Sequence, residues 1–149
     1  MNIRKANDND IKRLVELESL FLSPYSEKQI YYELHDNPTS NVLVYVDDKD
    51  YVLGFIDFWI TFDSATVCQV VVDKAYQKKG IATSLFNECF KILKSNQEET
   101  ILWLTLEVRE HNLDAYNLYK KLGFKYVVTK EKYYSNGDNA LYMMKGLID

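Results

Sequence analysis

The sequence predicts an α/β fold in which helices cover both faces of a mixed, mostly antiparallel central sheet. Three observations predict it. Short apolar, β-branched runs separated by polar turns recur through the middle and at the end of the chain. Amphipathic stretches with apolar residues three or four positions apart lie between them. No repeat or change in composition divides the 149 residues, so a single domain, 1–149, is expected.

The chain opens with a strand candidate at 2–6 and an amphipathic first helix. Asp8 or Asp10 can cap this helix, because a short carboxylate accepts hydrogen bonds from the free N–H groups of a first turn. Apolar residues then follow at helical spacing as far as Phe21. Pro24 is expected to end the helix, since proline cannot continue it.

A second short helix is predicted after that proline. Ser26 and Gln29 have the three-residue spacing of a capping box. The helix is expected to stop near Asn37-Pro38, because the residue before a proline disfavours the helical conformation.

Three β-rich runs follow and are predicted to form an antiparallel meander. The runs are 42–46, 51–62 and 65–72, and the polar turns 47–50 and 63–64 separate them. Turns this short join neighbouring antiparallel strands, whereas parallel strands need a longer crossover.

The next part of the chain alternates helix and strand. A helix at 79–95, with apolar residues on one side, precedes an apolar strand at 100–108. Asn112 can cap the helix that follows. Gly123 is placed to end that helix in the left-handed conformation, which glycine adopts at little cost.

Two strand runs complete the chain, at 125–133 and 140–147. They flank Asn136-Gly137, a dipeptide typical of tight hairpins. The predicted element order is therefore β-α-α-β-β-β-α-β-α-β-β.

Composition and charge narrow the function classes. The formal net charge is -4 and the pI about 5.2, which argues against a general nucleic-acid binder with a basic face. No apolar run approaches the roughly 18 residues of a membrane span, and the first residues lack a signal peptide's apolar stretch. Cys68 and Cys89 lie apart from each other and from both histidines, so buried free thiols and no metal site are expected. A cytoplasmic protein is expected, since free thiols suit a reducing compartment.

The loop that opens the helix at 79–95 carries the chemistry. The first turn of a helix has free N–H groups and a partial positive charge, a geometry that holds a phosphate. Gly80 has no side chain and Ala82 has one methyl, so both let a phosphate approach the backbone. The spacing is neither a Walker loop nor a dinucleotide fingerprint. A plain strand-loop-helix connection with a solvated lysine pair explains it equally well.

The motif Gln-x-x-Gly-x-Ala at 77–82, after an apolar strand ending in Val-Asp, resembles the pyrophosphate loop of the GNAT acetyltransferases. The predicted element order matches that fold from end to end. The stretch 106–124, with the pattern Leu-Glu-Val-Arg…Asn…Ala…Leu-Tyr…Gly-Phe, is similar to the RimI-type branch. The resemblance implies acetyl-CoA as co-substrate, no metal, and the N-terminal amine of a protein such as a ribosomal protein as acceptor.

The same resemblance implies functional residues. Contacts to acetyl-CoA are expected from Val70, Val71, Val72, Gln77, Lys78, Lys79, Gly80, Ile81, Ala82, Thr83, Asn112 and Tyr119. Glu107 is expected to act as the general base for the amine, and Tyr119 as the acid that protonates the leaving CoA thiolate. The residues alone leave simpler interpretations open: Glu107 as a solvated strand-end glutamate, Tyr119 as a core aromatic and Asn112 as a helix cap only.

Three functions stay open on the sequence. The first is a protein N-terminal acetyltransferase that works by direct transfer in a ternary complex. The second is an acetyltransferase for a small amine, such as a polyamine, an amino acid or an aminoglycoside. The third is a non-catalytic acyl-CoA-binding regulator, against which Glu107 and Tyr119 argue. Tyr25, Tyr31, Tyr32, Tyr133 and Tyr134 fall in segments that border the acceptor site in the family.

Overall fold

A computed structural model describes residues 2–21 and 24–148. In these residues a seven-stranded sheet lies between two layers of helices, in the element order that the sequence predicts. The strands are β1 (Asn2–Lys5), β2 (Ser40–Val46), β3 (Val52–Thr61), β4 (Ser64–Val72), β5 (Trp103–Arg109), β6 (Lys125–Lys130) and β7 (Ala140–Gly146). The helices are α1 (Ile11–Glu18), α2 (Glu27–His35), α3 (Ile81–Lys94) and α4 (Leu113–Lys121).

The sheet has the strand order β1-β2-β3-β4-β5-β7-β6. All neighbours pair antiparallel except β4 and β5, which run parallel and are connected through α3. The prediction of a mixed, mostly antiparallel sheet is confirmed. Within the described residues, no helix is long and apolar enough to cross a bilayer.

The parallel pair β4 and β5 separates soon after it forms. Pairing joins only residues 64–66 of β4 to 103–105 of β5. Both strands continue beyond this point, so the backbone groups on their facing edges have no partner in the other strand. Backbone groups that are shielded from water need a hydrogen-bonding partner from elsewhere. We call the resulting space between the two strands the wedge.

Two apolar cores lie on opposite faces of the sheet. The α3 face buries Leu85, Phe86 and Cys89 of the helix against strand residues such as Ile56 and Leu104. The α1–α2 face has its own core, built from Leu14, Leu17, Ile30, Val44, Val46 and Phe55 among others. Alternate residues of a strand point to opposite faces, so β2 sends Leu43 to one core and its neighbour Val44 to the other.

The start of α1 differs from the prediction. Asp10 stands at the helix N-terminus, but its side chain makes no capping bond there. Its carboxylate accepts hydrogen bonds from the Arg4 guanidinium at 2.8 and 2.9 Å and from the Asn7 N–H at 2.8 Å. The Asn7 side chain caps the preceding 3-10 turn, Asp8–Asp10. Capping of α1 by Asp8 or Asp10 is therefore wrong, because the Asp10 carboxylate is already bonded elsewhere.

The end of α1 also differs. The helix stops at Glu18, well before Pro24, so the prediction that this proline ends it is wrong. Ser19 begins the turn, and its hydroxyl donates to the Glu16 carbonyl at 2.7 Å. Residues 22–23 lie outside the described part of the chain.

Three other capping predictions are confirmed. Ser26 Oγ accepts from the Gln29 N–H at 3.1 Å and Gln29 Oε1 accepts from the Ser26 N–H at 2.7 Å, which is a complete capping box on α2. The Asn112 side chain accepts from the Ala115 N–H at 3.2 Å and caps α4. Gly123 follows α4 with φ +101°.

The last hairpin is wider than the Asn-Gly dipeptide predicts. Strand β6 ends at Lys130 rather than 133, and the loop 131–139 leads to β7. The Asn136-Gly137 turn exists, since the Gly137 N–H donates to the Tyr134 carbonyl at 2.9 Å and Gly137 has φ +91°. The turn lies inside a longer loop instead of joining the strands directly.

Candidate active site

A groove of about 640 Å³ opens beside the wedge, between the end of β4, the first turn of α3 and one side of α4. Ten of the twelve predicted cofactor-binding residues line it: Val70, Val72, Gln77, Lys78, Gly80, Ile81, Ala82, Thr83, Asn112 and Tyr119. Sequence reasoning missed Tyr76, Asp114, Ala115, Asn117, Leu118 and Lys121, which also line it. Five of these six lie on α4. The helical spacing of that segment was the sequence signal that could have found them, because it shows which residues share a face with Tyr119.

The backbone of β4 faces the groove at alternate residues. The Asp73 N–H donates to the Leu53 carbonyl of β3 at 2.8 Å. In an antiparallel ladder, bonding to one neighbour alternates along the strand, so Val71 also pairs with β3. The N–H and C=O groups of Val70 and Val72 then point toward the wedge. The Val72 carbonyl accepts from Gln77 Nε2 at 3.0 Å.

Val71 and Lys79 lie away from the groove. The Val71 side chain is buried in the core under α1 and α2, and its main chain is paired with β3. The Lys79 side chain is exposed, and its Nζ lies 5.5 Å from the centroid of the Tyr76 ring. Both residues were expected to contact acetyl-CoA, and the structure offers neither side chain to the groove.

The N-terminus of α3 is open to the groove. Gly80 is the residue before the helix, and no side chain of the described residues caps it. A Cβ on Gly80 would meet no protein atom within 4 Å, so its left-handed conformation, φ +85°, is what requires glycine. Lys78 is also left-handed, with φ +63°, which is uncommon for a residue with a side chain. Free N–H groups at a helix start, with Lys78 and Lys121 on the walls, suit a phosphate-bearing ligand.

The loop before α3, residues 73–80, which we call the groove loop, is tied to the opposite face of the sheet. Arg13 of α1 donates to the Asp73 carboxylate and, through Nε, to the Val52 carbonyl at 2.9 Å. The other Asp73 oxygen accepts from the Ala75 N–H at 2.9 Å and so caps the short 3-10 turn before Gln77. One guanidinium therefore holds α1, β3 and the groove loop together.

Tyr119 is both a core aromatic residue and a residue of the groove wall. Its ring packs edge-on against Phe86 and Phe124, with centroids 5.6 and 6.0 Å away, and it also lines the groove. Burial raises the pKa of Tyr119 above its ordinary value, so the phenol keeps its proton at neutral pH. A protonated phenol at the wall of the groove can donate its proton to a ligand bound there.

Glu107 lies on β5, on the other side of the sheet from Tyr119. Leu106 and Val108 point into the α3 core, so Glu107 between them points to the opposite face. Its Oε1 accepts from Lys130 Nζ at 2.7 Å, and its side chain is 19% exposed. Glu107 is thus an ion-paired, mostly covered carboxylate rather than a freely solvated one.

Comparison with known proteins decides the family. Residues 11–124 match the acetyltransferase (GNAT) family. The chain belongs to this family. It is 32% identical, over 95% of its length and 92% of the relative's, to a Bacillus subtilis protein named putative [ribosomal protein bS18]-alanine N-acetyltransferase. It is 29% identical, over 95% and 90%, to the N-alpha-acetyltransferase of Sulfurisphaera tokodaii.

The fold is also that of solved GNAT structures. A crystal structure of Arabidopsis thaliana NAA60 in complex with acetyl-CoA superposes with a TM-score of 0.85 at 19% identity, covering 97% of this chain and 98% of the other. The predicted resemblance to the GNAT family is confirmed. This protein is an N-acetyltransferase and acetyl-CoA is its co-substrate. The open helix start and the lysines on the groove walls fit the phosphates of that group.

Two tyrosine rings lie beside Lys130, the ion-pair partner of Glu107, and a third tyrosine packs against one of them. Lys130 Nζ lies 4.5 Å from the Tyr142 ring centroid and 5.5 Å from that of Tyr133. Tyr133 stacks edge-on against Tyr134 with centroids 5.1 Å apart. Tyr133 and Tyr134 were expected near the acceptor, and the structure brings both to the face that carries Glu107.

A buried carboxyl pair on the same face escaped sequence reasoning. Glu33 of α2 accepts from Trp59 Nε1 at 2.6 Å and from Asn37 Nδ2 at 2.8 Å. Asp57 of β3 accepts from Ser40 Oγ at 2.9 Å. Burial, and then the neighbouring Glu33 carboxyl, raises the pKa of Asp57 to about 9, so Asp57 holds a proton at neutral pH. An aspartate inside the apolar run Phe55–Trp59 was the sequence signal for this pair.

Glu18 lies near that pair and is fully buried. Its Oε2 accepts from Gln69 Nε2 and from the Tyr25 N–H, both at 3.2 Å, whereas Oε1 has no partner among the described residues. Burial raises the pKa of Glu18 to about 7.

Half-buried Cys68 lies beside this region, and burial raises the pKa of its thiol. The Cys68 thiol is therefore a poor nucleophile, as expected for a protein that needs no acyl carrier.

Cys89 is a buried free thiol, as predicted. Among the described residues, no group of three histidine, cysteine, aspartate or glutamate side chains could hold a metal ion.

Proposed function

We propose that this chain transfers the acetyl group of acetyl-CoA directly to the α-amine of a protein or peptide N-terminus. The observation that carries the proposal is the placement of Glu107 and Tyr119 on opposite faces of the sheet, on the two sides of the wedge. A base on one side and an acid on the other suit an amine and a thioester that meet between them.

The cofactor side of the site is built from main-chain groups. We assign the free N–H groups at the start of α3 to the pyrophosphate of acetyl-CoA, with Lys78 and Lys121 adding positive charge. The backbone groups of Val70 and Val72 face the wedge and can bind amides of the pantetheine arm or the acetyl oxygen. The co-substrate supplies the activated acetyl group, and the protein orients it.

Two side chains handle the protons. Glu107, whose Oε1 is bonded to Lys130 in the free protein, takes the proton of the incoming amine. Tyr119, protonated and on the groove wall, gives its proton to the departing thiolate. No covalent acyl-enzyme is required.

The chemistry favours an α-amine over a lysine side chain. The ordinary pKa is near 7.7–8.0 for an α-amine and near 10.4 for lysine, so at pH 7 about 10% of the first and about 0.04% of the second is neutral. Deprotonating the α-amine therefore costs roughly 3 kcal/mol less. A single carboxylate such as Glu107 is sufficient for that smaller task.

The sequence relatives support the same acceptor class. Of the two relatives described above, one is named as an alanine N-acetyltransferase of a ribosomal protein and the other as an N-alpha-acetyltransferase. The bacterial relative is named, as putative, for an alanine of ribosomal protein bS18, and we propose the N-terminus of a protein of this kind as the acceptor. We further propose that residues 1–149 form one catalytic domain acting in the cytoplasm.

The test is acetyl-CoA turnover against a panel of peptides with varied first residues, together with spermidine, amino acids and an aminoglycoside. CoA release gives the rate, and mass spectrometry locates the acetyl group. The proposal expects acetylation at the peptide α-amine and slower turnover of the free amines. Turnover of small amines with none of the peptides would replace it with the small-molecule alternative.

A further inference from the structure

The Lys130 ammonium occupies a small site made of one carboxylate and two aromatic rings. Lys130 Nζ donates to Glu107 Oε1 at 2.7 Å. The same nitrogen lies 4.5 Å from the ring centroid of Tyr142 and 5.5 Å from that of Tyr133. The three partners come from β5, from β7 and from the loop 131–139, so the fold assembles this site from separate elements.

A site of this composition binds an ammonium group in general. A carboxylate forms a charge-assisted hydrogen bond to it, and tyrosine faces attract the positive charge. The acceptor of the proposed reaction arrives as the same chemical group, since about 90% of an α-amine is protonated at pH 7. The acceptor must also reach Glu107, the carboxylate that Lys130 already holds.

We propose that Lys130 is an internal occupant of the acceptor's ammonium site and that the substrate α-ammonium displaces it from Glu107. This inference rests on the proposed role of Glu107 in receiving the amine. It makes Lys130 a positioning and specificity residue, because only an acceptor with a cationic nitrogen can replace it at equal charge.

Exchange of one ammonium for another keeps Glu107 paired throughout. A covered carboxylate that loses its cation without replacement is costly, whereas a swap leaves the charge balance unchanged. Lys130 is free to make the swap, because it is the last residue of β6 and its side chain is 39% exposed. Its long, rotatable stem can carry the ammonium back to water.

Lys130 remains a competitor over the whole working range of pH. The hydrogen bond to Glu107 holds the pKa of Lys130 above its ordinary value, so the side chain stays charged. A neutral acceptor gains no electrostatic advantage in displacing it. An N-acetylated product likewise has no cation to compete, which favours product release and return of Lys130.

The kinetic test compares Lys130→Met with Lys125→Met on acetylation of an alanine-initiated hexapeptide. Lys125 lies at the other end of β6, is exposed, and is in no ion pair among the described residues, so it matches the loss of charge. Removing the competitor is expected to lower the peptide KM roughly two- to fivefold, with a smaller change in kcat. Lys130→Arg should keep the wild-type KM. An unchanged or raised KM in Lys130→Met, relative to Lys125→Met, overturns the inference.

A second measurement does not depend on turnover. In protein labelled with [ε-13C]lysine, the Lys130 signal should be shifted by the two tyrosine rings, and its loss in Lys130→Arg assigns it. The free-amine hexapeptide and butylamine, a bare primary ammonium, should both move it to the position of exposed lysines. The N-acetylated hexapeptide should leave it in place.

The two proposals fail in distinguishable ways. If the wild type acetylates no peptide but butylamine still moves the Lys130 signal, the N-terminal acceptor is wrong and the ammonium site stands. If peptides are acetylated while neither amine moves the signal, or the blocked peptide moves it equally, the displacement of Lys130 is wrong.

Discussion

The two sides of the wedge differ in the groups that form them: mainly main-chain groups on one side and side chains on the other. On the α3 side, the groove offers main-chain N–H groups, a left-handed glycine and only a few charged side chains. On the opposite face, Glu107, Lys130 and Tyr142 reach one point from three strands. A backbone-built site depends on the path of the chain, whereas a side-chain-built site changes with a single substitution. The same fold can therefore keep one co-substrate while its acceptor changes.

The largest expected effect lies on the side-chain-built face. Glu107→Gln removes the group that takes the amine proton while preserving its size, and general bases contribute about 100-fold or more. We expect kcat/KM for a peptide acceptor to fall by about 100-fold, with the Kd of acetyl-CoA unchanged by calorimetry. Glu110→Gln, close by in the chain, is the control and should leave both values near wild type. A full rate in Glu107→Gln would remove the base from this face.

The next effect lies on the α3 side, at Tyr119. Tyr119→Phe keeps the packing on Phe86 and Phe124 but removes the proton for the thiolate. We expect kcat to fall about tenfold or more with little change in acetyl-CoA affinity. Tyr116→Phe, on the same helix, should have no such effect. Unchanged turnover in the Tyr119 variant would leave it a core residue only.

A smaller effect is expected from the backbone-built side. Gly80→Ala forces a residue with a side chain into a left-handed conformation, at a cost of about 1 kcal/mol or more. We expect the loop to relax and the Kd of acetyl-CoA to rise about fivefold, while the peptide KM at saturating acetyl-CoA stays unchanged. Gly137→Ala is a matched control, since Gly137 also has positive φ and open space around it. Equal loss of acetyl-CoA binding in both variants would contradict the role of the α3 start.

The smallest effect on activity, but a visible one on stability, is expected at the buried carboxyl pair. The pKa of Asp57 is about 9 in the folded protein, above its ordinary value of 3.8, so folding retains a proton that the unfolded chain releases. Stability from this proton is complete below about pH 4 and is lost as pH rises toward 9. Asp57→Asn should flatten the decline of Tm between pH 5 and 9 and raise Tm at pH 8. Asp48→Asn, in an exposed turn, should leave the slope unchanged, and a parallel slope in Asp57→Asn would contradict the assignment.

The same contrast explains what the sequence could predict. The groove loop is encoded by neighbouring residues, and the Gln-x-x-Gly-x-Ala motif with its flanking strand and helix identifies it locally. Short-range capping signals such as Ser26 with Gln29 can likewise be predicted from neighbouring residues. The acceptor face is encoded by residues that are distant in sequence, so Lys130 beside Glu107 could not be predicted from spacing alone.

The errors have the same origin. Asp10 satisfies the local rule for a helix cap, but Arg4 from β1 bonds its carboxylate instead. Asn136-Gly137 satisfies the rule for a tight hairpin, but β6 ends early and the turn lies in a wider loop. In both cases a tertiary contact or a strand end, which no short motif records, decided the outcome.

The bond between Arg13 and Asp73 has a consequence for how the molecule responds to its ligand. It joins a helix on one face of the sheet to the loop that faces the groove on the other. Ordering of that loop by a bound diphosphate should therefore be felt in α1, and the amide protons of α1 should exchange with solvent more slowly in the liganded enzyme. Communication between the two layers needs no movement of the sheet, because a single guanidinium bonds both where β3 begins and where β4 has just ended.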